Sequence, residues 1–192
     1  MHVSHYAADP SPRALPLHPT QLLIDLSTRL GGDPLLQSAL VWIAERFPFA
    51  NGIRLQGDCA SIQRLVACLA ALPDRGWPAV ERVWYEHPLP AAMAHQLARL
   101  CPRLRDVSFG LVDGYKARAG EELAAALEGL APAAGTLEAL SLSLKAYTEI
   151  EPCATLRAAE ALGRLGGLRQ LDVSWNCPSA VGCLLAPALS SL

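Results

Sequence analysis

The sequence predicts an α/β solenoid in which short parallel strands line a concave face and a helix returns each of them along the outside. Two observations carry that prediction. An apolar phrase, Leu-x-x-Leu-x-Leu with other apolar residues admitted, recurs at Leu104, Val107 and Phe109, at Leu137, Leu140 and Leu142, and at Leu168, Leu171 and Val173, with looser copies at Ala50, Ile53 and Leu55 and at Val80, Val83 and Tyr85. Each interval between phrases then holds a run at helical spacing. These runs are Ile62, Leu65, Val66 and Leu69; Met93, Leu97 and Leu100; Leu123, Ala126, Leu127 and Leu130; and Leu156, Ala159, Leu162 and Leu165. The phrases start at residues 50, 80, 104, 137 and 168, steps of 30, 24, 33 and 31 residues. Such spacing is long enough for a true helix on each return.

Within a phrase the fourth and sixth residues point to one side of a strand and the fifth to the other, because side chains alternate along extended backbone. The leucines therefore read as core. Ser61 can cap the first returning helix, and Pro90 suits the first turn of the second, where its missing N–H removes nothing. The phrase from Leu168 closes with Asn176 and that from Ala50 with Asp58, residues whose side chains can hydrogen-bond the following turn. Pro88, Val112 and Lys145 hold the equivalent position in the other three phrases, so a continuous asparagine ladder is not expected.

Three regions follow from this reading. Residues 1–18, rich in Pro, Ala and Ser, read as a flexible leader. Residues 19–47 read as a helical hairpin: Leu22, Leu23, Leu26 and Leu30 form one stripe, Gly31 and Gly32 stop it, Asp33 and Pro34 open a second helix, and Leu36, Leu40, Ile43 and Phe47 form its stripe. Residues 48–192 hold the repeats. The last of them, with Val181, Leu184, Leu185, Leu189 and Leu192 after Pro187, begin a helix that no strand follows, so the array is expected to be a piece of a longer one or to be covered at that end by a partner.

GEELAAALEGL followed by TLEALSLSL, and LRAAEALGRLGGLRQLDVSWN, resemble leucine-rich repeats of the long, helix-bearing subtype typified by ribonuclease inhibitor. That resemblance implies a protein-binding module that recognises its partner on the concave sheet. The segment before the repeats resembles an F-box, with Pro19, Leu22, Leu23, Leu26 and Leu30 on the first half of that pattern and Leu35, Leu36 and Val41 on the second. Gln21 stands where the pattern has an acidic residue, and Pro34 splits Asp33 from Leu35. The F-box resemblance implies a substrate receptor that docks the adaptor subunit of a cullin-type ubiquitin ligase through Pro19, Leu22, Leu23, Leu35 and Leu36. The other reading of the same segment is a cap that shields the first repeat, which would bury Leu22, Leu23 or Leu35 against Ile53 and Leu55.

If the register holds, the outward strand positions are Arg54, Arg82, Trp84, Glu86, Asp106, Ser108, Ser141, Ser143, Gln170, Asp172 and Ser174, with Trp175 just past the strand. Trp84 is the sharpest candidate, because exposed Trp and Arg are the residue types enriched at binding hot spots. Arg54 and Arg82 stand toward the start of this surface and Asp106 and Asp172 later; such a field can orient a polar partner, but mixed charge is also the default of a solvated surface, and that reading carries the greater weight.

Several function classes find no carrier. A net charge of −2 with no basic run gives no footprint for a nucleic acid. No apolar stretch reaches the roughly 20 residues that span a bilayer, and the start of the chain lacks a secretory pattern, so a cytoplasmic, reducing setting is expected. The six cysteines include no C-x-x-C pair and read as reduced structural thiols rather than metal ligands or disulfides. No nucleophile elbow, phosphate loop or zinc-binding H-E-x-x-H pattern is present, so no catalytic residue, metal or cofactor is assigned.

Overall fold

A computed structural model describes residues 2–5, 21–25, 33–57, 59–72, 76–111, 119–144 and 152–175. They form one seven-stranded sheet in chain order: β1 (His2–His5), β2 (Gln21–Asp25), β3 (Gly52–Gln56), β4 (Arg82–Tyr85), β5 (Asp106–Leu111), β6 (Ala139–Leu144) and β7 (Gln170–Trp175). β1 pairs antiparallel with β2, and every later pair is parallel. Helices α1 (Asp33–Arg46), α2 (Cys59–Ala70), α3 (Ala91–Leu100), α4 (Ala119–Gly129) and α5 (Pro152–Gly163) alternate with strands β2 to β7. Consecutive helices pack on one another as consecutive strands do. A strand-helix unit that meets only its sequence neighbours is the arrangement expected of a stacked repeat.

The five apolar phrases lie on β3 to β7 in one register. Ile53, Val83, Val107, Leu140 and Leu171 are successive partners across the sheet, and so are Leu55, Tyr85, Phe109, Leu142 and Val173. Both rows face the helices and are buried, except that Leu171 and Val173 on the last strand are only partly covered. The helical runs supply the opposing layer through Leu65 and Leu69, Met93 and Leu97, Leu123 and Leu127, and Leu162 and Leu165. Leu156 departs from its expected stripe and is 54% exposed. Ala154, Ala158 and Ala161 are buried on α5 with Ala159 and Leu162, so small residues pack the last helix close, and Arg157 beside Leu156 reaches Glu128 on α4.

The segment before the repeats departs further from the sequence reading. Gln21–Asp25 is a strand, not the first helix of a hairpin, and it continues the register, with Leu22 opposite Ile53 and Ile24 opposite Leu55. Leu22 and Ile24 are buried whereas Gln21 is exposed and Leu23 half-buried, a period of two. The physical reason is the neighbour: the free edge of β3 satisfies the β2 backbone, and the alternation buries Ile24, which the helical stripe had left out. This strand is one further copy of the repeat, set 31 residues before β3, and α1 is its returning helix. Of residues 1–18, read as a flexible leader, His2–His5 is instead a strand that pairs with Leu22 to Asp25 and extends the sheet, and the others lie outside the described residues. Pro19, the expected helix from residue 179 and the uncapped end lie outside the described residues.

The turns entering the strands are tied by a ladder of backbone carbonyls, while Asp58, Val112, Lys145 and Asn176, the positions considered for an asparagine ladder, lie outside the described residues. The Asn51 carbonyl accepts from the N–H groups of Glu81 and Arg82 at 2.8 and 3.0 Å. Glu81 accepts likewise from Arg105 and Asp106 at 2.8 and 2.9 Å, Arg105 from Glu138 and Ala139 at 2.8 Å each, and Glu138 from Arg169 and Gln170 at 2.8 and 2.9 Å. Each repeat thus fixes the entry of the next strand through two donors on one acceptor.

Arg99 on α3 performs a comparable task at the end of α2. Its guanidinium donates to the carbonyls of Leu72 and Leu69 at 3.0 and 2.9 Å, and to Gln96 Oε1 at 2.8 Å. The last carbonyls of a helix lack intrahelical partners, so a neighbouring cation there both satisfies them and meets the negative end of the dipole. Arg99→Ala is expected to lower stability by about 1–3 kcal/mol, the scale for charge-assisted bonds lost from a partly buried position. Chemical denaturation with an unchanged slope checks this.

Candidate functional site on the open face of the sheet

Alternation along the strands turns three rows of side chains away from the helices. The middle row crosses the sheet as Leu23, Arg54, Trp84, Ser108, Ser141 and Asp172. On one side of it run Gln21, Gly52, Arg82, Asp106, Ala139 and Gln170. On the other side, Gly110, Ser143 and Ser174 continue the row, with Glu86 just past the end of β4. Arg54, Arg82, Glu86, Gln170, Asp172 and Ser174 are exposed, and Trp84, Asp106, Ser108 and Ser141 are half-buried. Trp175, expected just past the strand, is the last residue of β7, with Leu144 as its partner on β6.

Val83 and Tyr85 are buried on the helix side, which leaves Trp84 on the opposite, open face of the sheet between them. Its ring leans back across β3. A Cβ at Gly52 would stand 2.8 Å from Trp84 Cζ3 and 3.2 Å from Gln21 Cγ, so the absence of a side chain at Gly52 gives the indole its bed. Arg54 is the α-carbon partner of Trp84, and its Nη2 donates to Glu86 Oε1, two residues beyond Trp84 on the same side. The pair holds both exposed ends beside the ring. Gly110 allows a second close approach, because a Cβ there would lie 2.4 Å from the Glu86 carbonyl oxygen.

These contacts border a groove of about 580 Å³. Trp84, Arg54 and Glu86 stand on one side, Ser108 and Gly110 follow on β5 and Ser143 on β6, and His87 and Gln21 complete the rim. The His87 ring sits 5.6 Å from that of Tyr85, tilted by 60°. Gly52, Gly110, His87 and Gln21 were not among the sequence candidates. A glycine reveals a bed or a close approach only when the opposing strand and its register are known, so no single-residue signal could have found them.

Burial pushes the Asp106 carboxyl above the usual carboxylate range, and the Arg82 guanidinium opposite it on β4 partly counteracts this. A carboxyl raised in the folded state carries more proton there than in the unfolded chain, so its contribution favours folding in acid and fades as the pH climbs through the folded value. Asp106→Asn removes the cost of keeping that charge partly desolvated. It is expected to raise the melting temperature near neutral pH, with the gain shrinking as the pH falls; melting curves from pH 3 to pH 8 check this.

Among the described residues no group of three or more His, Cys, Asp or Glu side chains is placed to hold a metal ion. Cys68 and Cys101 are buried and Cys153 is exposed; desolvation pushes the fully buried Cys101 thiol far up. No described helix is long and apolar enough to cross a membrane.

The residues implied for adaptor docking are divided. Leu22 and Leu36 are buried, Leu23 is half-buried on the open-face row beside Arg54, and Leu35 is 64% exposed on α1. Leu22 and Leu23 lie on the strand β2 and not on the helix that the sequence reading gave them. No protein-family model and no curated protein sequence matches the chain.

Proposed function

We propose that this chain is a protein-recognition module that binds a partner through the concave sheet, with Trp84 as its anchor. The observation that carries the proposal is a half-buried indole laid on Gly52 beside an open groove, with the Arg54–Glu86 ion pair next to it. A large side chain already held in place binds without a further loss of rotamer freedom, which is why such residues dominate interface energetics. The rest of the face is small and polar and suits complementarity.

The resemblance to leucine-rich repeats supports the same surface, since stacked units of this kind present a continuous concave sheet to their partners. The ligase-receptor reading has less support, because Leu22 and Leu36 are in the core and unavailable to an adaptor.

The test is selection of binders from a random 12-residue peptide display library on the folded full chain. Retained binders are then measured on Trp84→Ala, on Ser141→Arg, which crowds the concave face, and on Gln63→Arg, which charges an exposed position of α2. Binding lost on the first two and kept on the third supports the proposal. Binders unaffected by either concave change, or no specific binder at all, would contradict it.

A further inference from the structure

The groove beside Trp84 joins an aromatic wall to a hydroxyl-bearing floor, and its two charged side chains engage each other. We infer from this the chemistry of what enters it: a tyrosine side chain of the partner. The inference rests on the recognition-face reading above and names the group that the Trp84 site takes.

The floor of the groove is low. Ser108 and Gly110 on β5 and Ser143 on β6 supply two short side chains and none, over a volume of about 580 Å³. A Cβ at Gly110 would collide with the Glu86 carbonyl, so the floor stays bare at that point. Pockets of about 300–1,000 Å³ enclose a drug-sized ligand, so one large side chain with its stretch of backbone fits here.

Charge argues against an ionic occupant. Arg54 and Glu86 are the charged residues that line the groove, and Arg54 Nη2 donates to Glu86 Oε1. Arg82 faces Asp106 on the adjacent strand, and neither lines the groove. A carboxylate or ammonium entering here would find its counter-ion already engaged and would lose water without gaining a free partner.

Wall and floor then suit different ends of one neutral side chain. Trp84 offers aromatic surface, against which a second ring packs offset or edge-on. The Ser108 and Ser143 hydroxyls make no hydrogen bond among the described residues, so each is available to an occupant. A purely apolar ring would strip water from these hydroxyls and from the His87 imidazole at the rim, and a polar group left unmet costs more than a made hydrogen bond returns. A phenol supplies both parts: a ring for the indole, and an O–H that donates and accepts as the serine hydroxyls do. Tryptophan would bring a donor alone, and phenylalanine neither.

The binders selected above supply the probe. In the strongest 12-residue peptide that depends on Trp84 and Ser141, the anchor is the position whose replacement by Ala is costly on the native full chain and nearly free on Trp84→Ala. That peptide is synthesised with Tyr and with Phe at the anchor, and both are titrated against the native chain and against a Ser108→Ala, Ser143→Ala double variant. The expected result is tyrosine as the selected anchor, a loss of at least about fivefold on exchange for Phe in the native chain, and a difference within about twofold on the double variant. The native-chain comparison needs no variant and decides the matter even where the double substitution perturbs folding. Tyr and Phe peptides within about twofold on the native chain, or an anchor that is not tyrosine, would overturn the phenol while leaving the recognition face intact. An undiminished preference for Tyr on a folded double variant would overturn its placement over the serines. A library that yields no peptide dependent on Trp84 and Ser141 would overturn both readings.

Discussion

Replacing Leu140 with Asp is expected to abolish cooperative folding of the stack. Leu140 is fully buried near the start of β6, partnered by Val107 on one side and Leu171 on the other. Aspartate there removes methyl groups from the buried apolar cluster and places a carboxylate between Val107 and Leu171. Loss of a buried leucine side chain alone costs about 2–5 kcal/mol. Desolvation of the charge, or the upward shift of its titration needed to avoid it, adds several kcal/mol more. Domains of this size are stable by about 5–15 kcal/mol, so the substitution consumes most or all of that margin. Circular dichroism should show loss of the thermal transition, and a native-like transition within a few degrees of the parent would refute the assignment of this row to the core.

Trp84→Ala is expected to act on the other side of the same sheet. The indole is half-buried and rests on the Gly52 backbone, so truncation opens surface to water without a sealed cavity, and stability should change by about 1 kcal/mol or less. Binding should change far more. Removal of a preformed aromatic anchor costs about 2 kcal/mol or more, roughly a 30-fold rise in Kd. The two readouts separate the roles: a large fall in melting temperature with unchanged affinity for a selected peptide would make Trp84 a structural residue and remove it from the site.

The parts of this fold that were legible in the sequence are those where one local period sufficed. From Ala50 onward each phrase places two inward residues two apart, and the observed partners Ile53, Val83, Val107, Leu140 and Leu171 are the residues that the phrase singles out. The strand at Gln21–Asp25 escaped because Leu22, Leu23 and Ile24 are apolar without interruption, and a short run of that kind fits a helix stripe as well as a strand until its neighbour is known. β1 escaped because His2–His5 carries no apolar phrase and is a strand only through β2. Leu156 was assigned to the wrong side for a related reason. Helical spacing gives a stripe, but which flank of the stripe a neighbour covers is decided by packing.

The concave rows were readable from alternation, whereas the site's detail was not. That Trp84 lies over Gly52, that Arg54 reaches Glu86 and that Gly110 admits the Glu86 carbonyl are consequences of which residues the register sets side by side on adjacent strands. The same holds for Arg99, a surface-looking residue in sequence that anchors the end of the preceding helix.

The central claim is that the partner lies on the concave sheet, and photo-crosslinking tests it most directly. Benzoylphenylalanine is placed at Ser141, in the middle concave row, or at Gln63, on the exposed side of α2, and each chain is irradiated with the strongest selected peptide. An adduct from Ser141 and none from Gln63 is the expected result. An adduct from Gln63 with none from Ser141 would place the partner on the helices and contradict the claim.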